Sequence, residues 1–410
     1  MTKAATIEVN HRGDDEGDEG DEGDEGDEGD GDGECQRQDE RVDSVDLVSK
    51  GSTGDTEDNM QSQVVENGRA QSEEYEDVYG GLEYCNVNTV VLGDNEFDTW
   101  YGNSSYFFSN EPSNIGWKTF QKGMKIPHNT KKLESYTKDK KIWIDKLFVC
   151  DSCFSYSTDE KDIKTHKTCC KYKIKFPGKL MYHDGEYSIR KVKGSRHKLF
   201  CQSMSMFAKF FLDNKSVFFA LDYFDFYIIY GDVNGFPTPM GFFSKELLSW
   251  ESNNLACILV FPPFQRRGLG NILISFSYEI SKAMGTVSGP EHPLSPFGKK
   301  GYLSYWSKTI AREILVGQFS TSKHITLEIL STKTGIRPED IILALDHMDS
   351  LYERGEKDIF TEYHKDPERF IALTEEGYDL LIVKSNIKKW VIDNKITYQS
   401  VIDPANLILS

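Results

Sequence analysis

Apolar and polar residues alternate in "VNTVVLGDNEFDTWY", where ordered structure is expected to begin. The same period of two marks "EYSIRKV", "VFFALDYF" and "FYIIYG" as strands. The period lengthens in "CQSMSMFAKFFLD", which places Met204, Phe207, Phe211 and Leu212 on one helical face. In "LACILVF", Leu255, Cys257, Leu259 and Phe261 alternate with the equally apolar Ala256, Ile258 and Val260. That pattern predicts a strand buried on both faces. Pro262 and Pro263 end it, "QRRGLG" turns the chain, and Ile272, Leu273, Phe276 and Ile280 mark the face of a following helix. From Ile325 to Met348 the pattern reads helix, glycine turn, helix, with Pro338 in the first turn of the second helix. A helix-turn-helix fits this segment, and so does ordinary helix packing.

Ahead of these elements the periodicity disappears. Residues 14–33 repeat "DEG", and residues 1–80 are expected to be a disordered acidic tail. The 410-residue chain has a net charge of −18, but residues 1–80 hold 27 acidic and 6 basic residues, a net of −21, which leaves +3 for the rest. Within that rest, Lys118–Lys198 carries 21 basic and 9 acidic residues, a net of +12. Such asymmetry points to a polyanionic partner or an acidic regulatory arm, against a plain reading as two solvated surfaces. No secretory signal is visible, and no run reaches the ~18 apolar residues of a membrane span. The eight cysteines are therefore expected in a reducing compartment, where clustering suggests metal.

Three groups of residues could carry chemistry. The first is Cys150 and Cys153, then His166, separated from Cys153 by twelve residues, and Cys170, separated from His166 by three. Zinc takes four such ligands in a tetrahedron. Ser157 and Glu160 have capping-box spacing for a helix carrying the second pair, and Cys169 is a rival fourth ligand. The second group is the turn after the buried strand. Gly268 and Gly270 at a helix start, with Arg266 and Arg267, suit a phosphate or pyrophosphate, although a plain turn reads the same way. Neither the Walker pattern nor the dinucleotide pattern is present, since Leu273 stands where a third glycine would be. The third is Glu291, between two prolines in "GPEHPLSPFGKKGYLSYW": a solvated carboxylate or a positioned base.

Together "EFDTWY", the cysteine–histidine finger, "CQSMSMFAKFFLDNKSVFF", "GFFSKE", "NLACILVFPPFQRRGLG", "SYEISK", "PEHPLS" and "YLSYW" resemble the MYST family of histone acetyltransferases, in the family's order, from about Val87 to Met348. The resemblance implies an α/β fold with a GNAT-like acetyl-CoA-binding core, a mixed sheet with flanking helices. A C2HC zinc-finger part would precede the core and a helix-turn-helix-like part would follow it. It implies acetyl-CoA contacts from Ile258, Leu259, Val260, Gln265, Arg266, Arg267, Gly268, Leu269, Gly270 and Asn271, with Ser295 and Ser304 beyond them. Glu291 would be the general base, Cys257 the active-site cysteine, and Lys215 an autoacetylated lysine. Chromodomain-like sequence is missing, about 25 extra residues (116–141) precede the finger, "PFGKKGY" departs from the usual "DLGLLSY", and the stretch from Glu356 to Val383 lies beyond the resemblance. The short form points to silencing-type members, hence to the H4 tail, nucleosomal DNA contact, a multiprotein complex and the nucleus.

The expected division is 1–80, acidic tail; 81–200, N-terminal part with the finger at 150–170; 201–310, catalytic core; and 311–410, a C-terminal helical part. The competing readings are a non-enzymatic zinc-containing chromatin-binding module and an acetyltransferase for a small amine.

Overall fold

Short strands bring the chain into the folded body of the computed structural model, which describes residues 81–82, 85–103, 105–107, 144–212, 221–353, 355, 357–375 and 378–409. The acidic stretch 1–80, the extra residues 116–141, Lys215 and the first half of "VFFALDYF" lie outside the described residues. Strand β1 (Gly81–Leu82) precedes β2 (Val87–Leu92), β3 (Asn95–Asp98), β4 (Gly102–Asn103), β5 (Ile144–Val149) and β6 (Tyr156–Ser157). The strands order as β3-β2-β5-β6, and β1 pairs with β4. Val90 and Leu92 are buried on one face, as alternation predicts, and Val87 is buried as well although it lies three positions before Val90. Helix α1 (Glu160–Cys169) follows.

Five antiparallel strands form the centre: β7 (Lys179–His183), β8 (Tyr187–Lys193), β9 (Phe224–Val233), β10 (Phe236–Glu246) and, after β11 (Asn253–Leu255), β12 (Cys257–Val260). Their order is β12-β10-β9-β8-β7. Helix α2 (Lys198–Ala208) covers one face and α3 (Leu269–Ala283) the other. Ring contacts show both sides. Phe226 meets Phe242 at 6.0 Å, and Phe207 of α2 meets Phe261 at 5.3 Å. On the opposite face, Tyr227 and Phe243 stack at 4.7 Å and both touch Phe276 of α3. A sheet covered on both sides leaves little of β9 exposed, which explains its long apolar run. The sheet draws β7 and β8 from before residue 200, so a division there cuts between hydrogen-bonded strands.

Three sequence expectations change here. The described part of "VFFALDYF" before Phe224 is a turn and not a strand, and β9 begins at Phe224. "LACILVF" is not one strand buried on both faces. The chain changes partner at Ala256: β11 pairs in parallel with β13 (Gly289–Pro290), while β12 pairs with β10. Leu255, Leu259 and Phe261 are buried, but Ala256, Cys257, Ile258 and Val260 are only half-buried. β12 is the sheet's edge, and its second side has no strand against it among the described residues. The helix at "CQSMSMFAKFFLD" ends at Ala208, and Phe210 and Phe211 are buried from a following turn.

The C-terminal part is more than helical. α4 (Pro296–Leu315), α5 (Leu327–Thr334), α6 (Pro338–His347), α7 (Lys357–Lys365) and α8 (Lys384–Asp393) accompany a four-stranded sheet. Its strands, β14 (His324–Thr326), β15 (Leu351–Glu353), β16 (Phe370–Glu375) and β17 (Tyr378–Val383), order as β14-β16-β17-β15. Ile371, Leu373 and Ile382 join the core under α4, while Phe370, Ala372, Leu381 and Val383 form a smaller cluster on the other face. α5 and α6, joined through left-handed Gly335, form the expected helix–turn–helix. α3 belongs to both cores: Leu273 and Phe276 face the central sheet, and Ile274 and Tyr278 face α4. Trp306 Nε1 donates to Tyr278 Oη at 2.7 Å across that seam.

Candidate functional site

The finger closes around four side chains. Cys150 and Cys153 lie on a knuckle in which Phe154 N–H donates to Cys150 O at 2.9 Å and Phe154 takes a left-handed φ of 63°. His166 comes from the last turn of α1, and Cys170 caps its C-terminus. The helix N-cap is Asp159, whose carboxylate accepts from Lys161 N–H at 2.9 Å; Ser157 and Glu160 do not form the expected box. The ligand atoms of Cys150, Cys153, His166 and Cys170 all lie within 4.8 Å of one another. Cys150 Sγ and Cys170 Sγ are 3.9 Å apart, and Cys153 Sγ and His166 Nε2 3.1 Å. Tetrahedral zinc sets such atoms roughly 3.3–3.8 Å apart, so the Cys3His group fits that ion. Cys169 is exposed and turned to the His166 carbonyl, which excludes it from the cluster.

The glycine turn sits where α3 begins. Gly268, at φ 82°, is the N-cap, and nothing lies within 4 Å of where a Cβ would stand. At Gly270 a Cβ would meet only Val260 Cγ2, at 4.0 Å. Leading N–H groups of a helix have no partner within it, and its dipole favours an anion there. Gln265 Nε2 donates to Val260 O at 2.9 Å, tying the turn to the end of β12. Arg266 and Arg267 are exposed, and Arg266 also has a positive φ, 63°. Leu269 is buried and anchors the turn. The half-buried Ile258 and Val260 and the open turn thus form one continuous edge, suited to an extended ligand with a phosphate at one end.

Glu291 comes to the same edge from the opposite side. Its N–H donates to Leu255 O at 2.8 Å, which holds it beside the point where the chain passes into β12. Cys257 opens β12, and its N–H donates to Ser244 Oγ at 3.2 Å. The carboxylate and the thiol therefore lie on neighbouring chain segments, both reached by solvent. Ser295 is exposed and serves as the N-cap of α4, accepting from Gly298 N–H at 3.1 Å. Ser304 is half-buried on α4, one turn beyond Gly301, whose missing side chain leaves room for Ile274 of α3.

What supports this loop leaves little mark in the sequence. Arg337, the N-cap residue of α6, donates to Pro290 O (3.3 Å), Glu251 O (2.7 Å) and Asn253 Oδ1 (2.6 Å). Asp340, one turn later, is fully buried. A positive charge at the first turn of a helix opposes the dipole, and that mismatch at Arg337 was the signal available.

The model of the MOZ/SAS family matches residues 175–386. Histone acetyltransferase SAS2 of Saccharomyces cerevisiae is 44% identical over 280 residues, 68% of this chain and 79% of that protein. Histone acetyltransferase MOF of Drosophila melanogaster is 39% identical over 211 residues, 51% of this chain and 25% of the fly protein. The Tip60 homolog of Caenorhabditis elegans, also a histone acetyltransferase, is 35% identical over 207 residues, 50% of this chain and 45% of its own length. The family match reaches past Met348 to take in the β16–β17 hairpin, which lies beyond the stretches that carry the sequence resemblance. With that span, and an open β12 edge leading into a helix N-terminus, the chain belongs to the MOZ/SAS family and is an acetyl-CoA-dependent protein-lysine acetyltransferase.

Proposed function

We propose that this enzyme acetylates a histone lysine, in the H4 tail, as the catalytic subunit of a multiprotein complex on nuclear chromatin. The extended likeness to a yeast histone acetyltransferase supports the histone substrate. The basic segment Lys118–Lys198 supports contact with nucleosomal DNA. In this reading acetyl-CoA lies along Ile258, Leu259 and Val260, with its pyrophosphate at Gln265–Asn271, and Ser295 and Ser304 flank it. Cys150, Cys153, His166 and Cys170 hold a structural zinc ion, with all four positions filled by protein. Residues 81–200, 201–310 and 311–410 act as finger, catalytic and C-terminal parts, with the central sheet spanning the first two. Lys215 is the autoacetylated lysine.

The observation that carries the mechanism is the hydrogen bond of 2.8 Å that holds Glu291 against Leu255, beside the open edge of β12. A lysine amine attacks only when neutral, and with a pKa near 10.4 it is short of that state by roughly 4 kcal/mol at neutral pH. Glu291 removes the proton as the amine nitrogen bonds to the thioester carbonyl, and the CoA thiolate leaves. General-base assistance of this kind contributes about 10²–10⁴ in rate. Glu291→Gln is therefore expected to lose that factor at pH 7.5 and regain part of it as pH rises. Mass spectrometry of nucleosomes incubated with acetyl-CoA and the full chain reads both the rate and the modified lysine. Acetylation confined to small amines would overturn the histone reading. A second reading has support in the half-exposed Cys257 at the start of β12: the thiolate takes the acetyl group first. Cys257→Ala retaining substantial activity would exclude it.

A further inference from the structure

Three segments far apart in the chain meet at one guanidinium. Arg337 Nη2 donates to Glu251 O at 2.7 Å and to Asn253 Oδ1 at 2.6 Å, while Nη1 donates to Pro290 O at 3.3 Å. Asn253 opens β11 and Pro290 closes β13, so the side chain spans both strands of the parallel pair that leads to Glu291. Pro290 is buried and has no N–H, so its carbonyl is the one backbone group it can offer a partner. The next backbone group, Glu291 N–H, donates to Leu255 O at 2.8 Å, and on the other side Ser288 N–H donates to Gly335 O at 3.1 Å. Gly289 makes the close approach possible: a Cβ there would stand 2.7 Å from Asp340 Oδ2 and 3.1 Å from Arg337 Nε.

This arginine does little for its own helix. As N-cap of α6 it makes no side-chain capping bond, and its charge opposes the helix dipole. Asp340, one turn on, accepts no hydrogen bond from it. Serine, threonine, asparagine or aspartate would serve the helix start better. A residue that breaks a local rule and spends its donors across the fold is expected where a site has to be held. We propose that Arg337 is a positioning residue of acetyl transfer: it locks the β11–β13 pair and so aims the Glu291 carboxylate at the amine that arrives over the edge of β12. The planar guanidinium presents its donors in a fixed fork, which serves three acceptors at once. A lysine ammonium on a flexible stem fixes no such geometry. The inference rests on Glu291 being the base, and what it adds is how that base is held in place.

The test compares wild type with Arg337→Ser, Arg337→Lys, Glu291→Gln and the Arg337→Ser/Glu291→Gln double variant, all as full chains. Serine gives α6 a capping side chain, so Arg337→Ser removes the clamp while supporting the helix. Hydrogen exchange at the amides of Gly289 and Glu291 should quicken about tenfold or more in Arg337→Ser, with the amides of β9 and β10 unchanged. In steady-state assays on nucleosomes at a pH of about 7.5, kcat should fall about ten- to hundredfold with the KM for acetyl-CoA little changed, because a displaced base costs rate and not cofactor binding. Arg337→Lys should recover only part of that rate. As pH rises to about 9.5 the substrate amine becomes neutral by itself, so the deficit of Arg337→Ser should shrink in step with that of Glu291→Gln. The double variant should be little slower than Glu291→Gln alone. Unchanged exchange at Gly289 and Glu291, a deficit of Arg337→Ser that is the same at every pH, or losses that multiply in the double variant would overturn the proposal. Full activity in Glu291→Gln would instead remove the base assignment, and the exchange measurement would still decide whether Arg337 holds the loop.

Discussion

At the scale of residues, the buried Asp340 carboxyl sets a pH dependence of stability. Asp340 titrates near 3.9 in an unfolded chain and at about 7 in the fold. Between those values the folded protein binds more protons than the unfolded one, so this group makes stability fall as pH rises from about 4 to about 7. Above that window the ionised group remains a net cost. Asp340→Asn removes the effect. In urea unfolding of the full chain, the variant should gain stability over wild type at pH 7.5 and much less, or none, at pH 5. Equal offsets at the two pH values would contradict the assignment. None of this was visible in the sequence, where Asp340 is an ordinary acid in the first turn of a helix. Its meaning comes from the Glu291 loop, whose Pro290 is 47 residues away from the clamping Arg337.

At the scale of elements, the zinc knuckle and the glycine turn are linked by packing. Phe154, directly after Cys153, touches Phe200 and Phe207 of α2 and, at 5.4 Å, Phe261 at the end of the β12 segment. Structural zinc contributes about 10–16 kcal/mol in small fingers. Its loss here should disturb the strand that leads into the turn. Cys170→Ala is expected to lose bound zinc and acetyl-CoA-dependent thermal stabilisation together, whereas Cys169→Ala keeps both; metal analysis beside melting curves reads the outcome. The spacing had left Cys169 and Cys170 open, because adjacent residues on one helix end differ only in direction, and direction is set by what the helix packs against.

The turn itself offers a paired test. Gly268 is left-handed, so Gly268→Ala costs roughly 1–2 kcal/mol of backbone strain although there is space for the methyl group. Gly270 lies within the helix, where alanine is the better helix former by about 1 kcal/mol. Gly270→Ala should therefore keep or raise stability in the absence of acetyl-CoA. If a pyrophosphate approaches that backbone, the variant should nevertheless lose the stabilisation that acetyl-CoA gives wild type. Undiminished stabilisation in Gly270→Ala would move the phosphate elsewhere.

At the scale of the whole molecule, charge governs encounter with a polyanion. Residues 1–80 carry a net −21 and the remainder +3. Removing them should strengthen binding to nucleosomes at low salt, because the remaining chain no longer opposes DNA with a large like charge. The gain should shrink as ionic strength approaches 0.15 M and above, where exposed charges are screened beyond about 8 Å. Binding isotherms of the full and shortened chains across a salt series would show it; an identical affinity at every salt concentration would rule it out.

Short-range pattern and covalent spacing settled much by themselves. The sequence alone marked β8, β9 and β12 of the central sheet but not β7 or β10, and it marked the turn before α3, the α5–α6 pair and the candidate zinc ligands. Each depends on residues within about twenty positions of one another, where periodicity and chain connectivity decide the geometry. Contacts between distant segments decided the rest. The C-terminal sheet formed from a stretch that read as an extension, because β16 and β17 are buried by two different clusters. Ala256–Ile258 are half-open because the chain trades β13 for β10 at that point, and no apolar count along the strand can reveal a missing neighbour. The Arg337–Pro290 hydrogen bond exists because α6 packs against the Glu291 loop. Burial, exposure and the pairing of remote charges are properties of the assembled surface, so the tertiary structure alone could assign them.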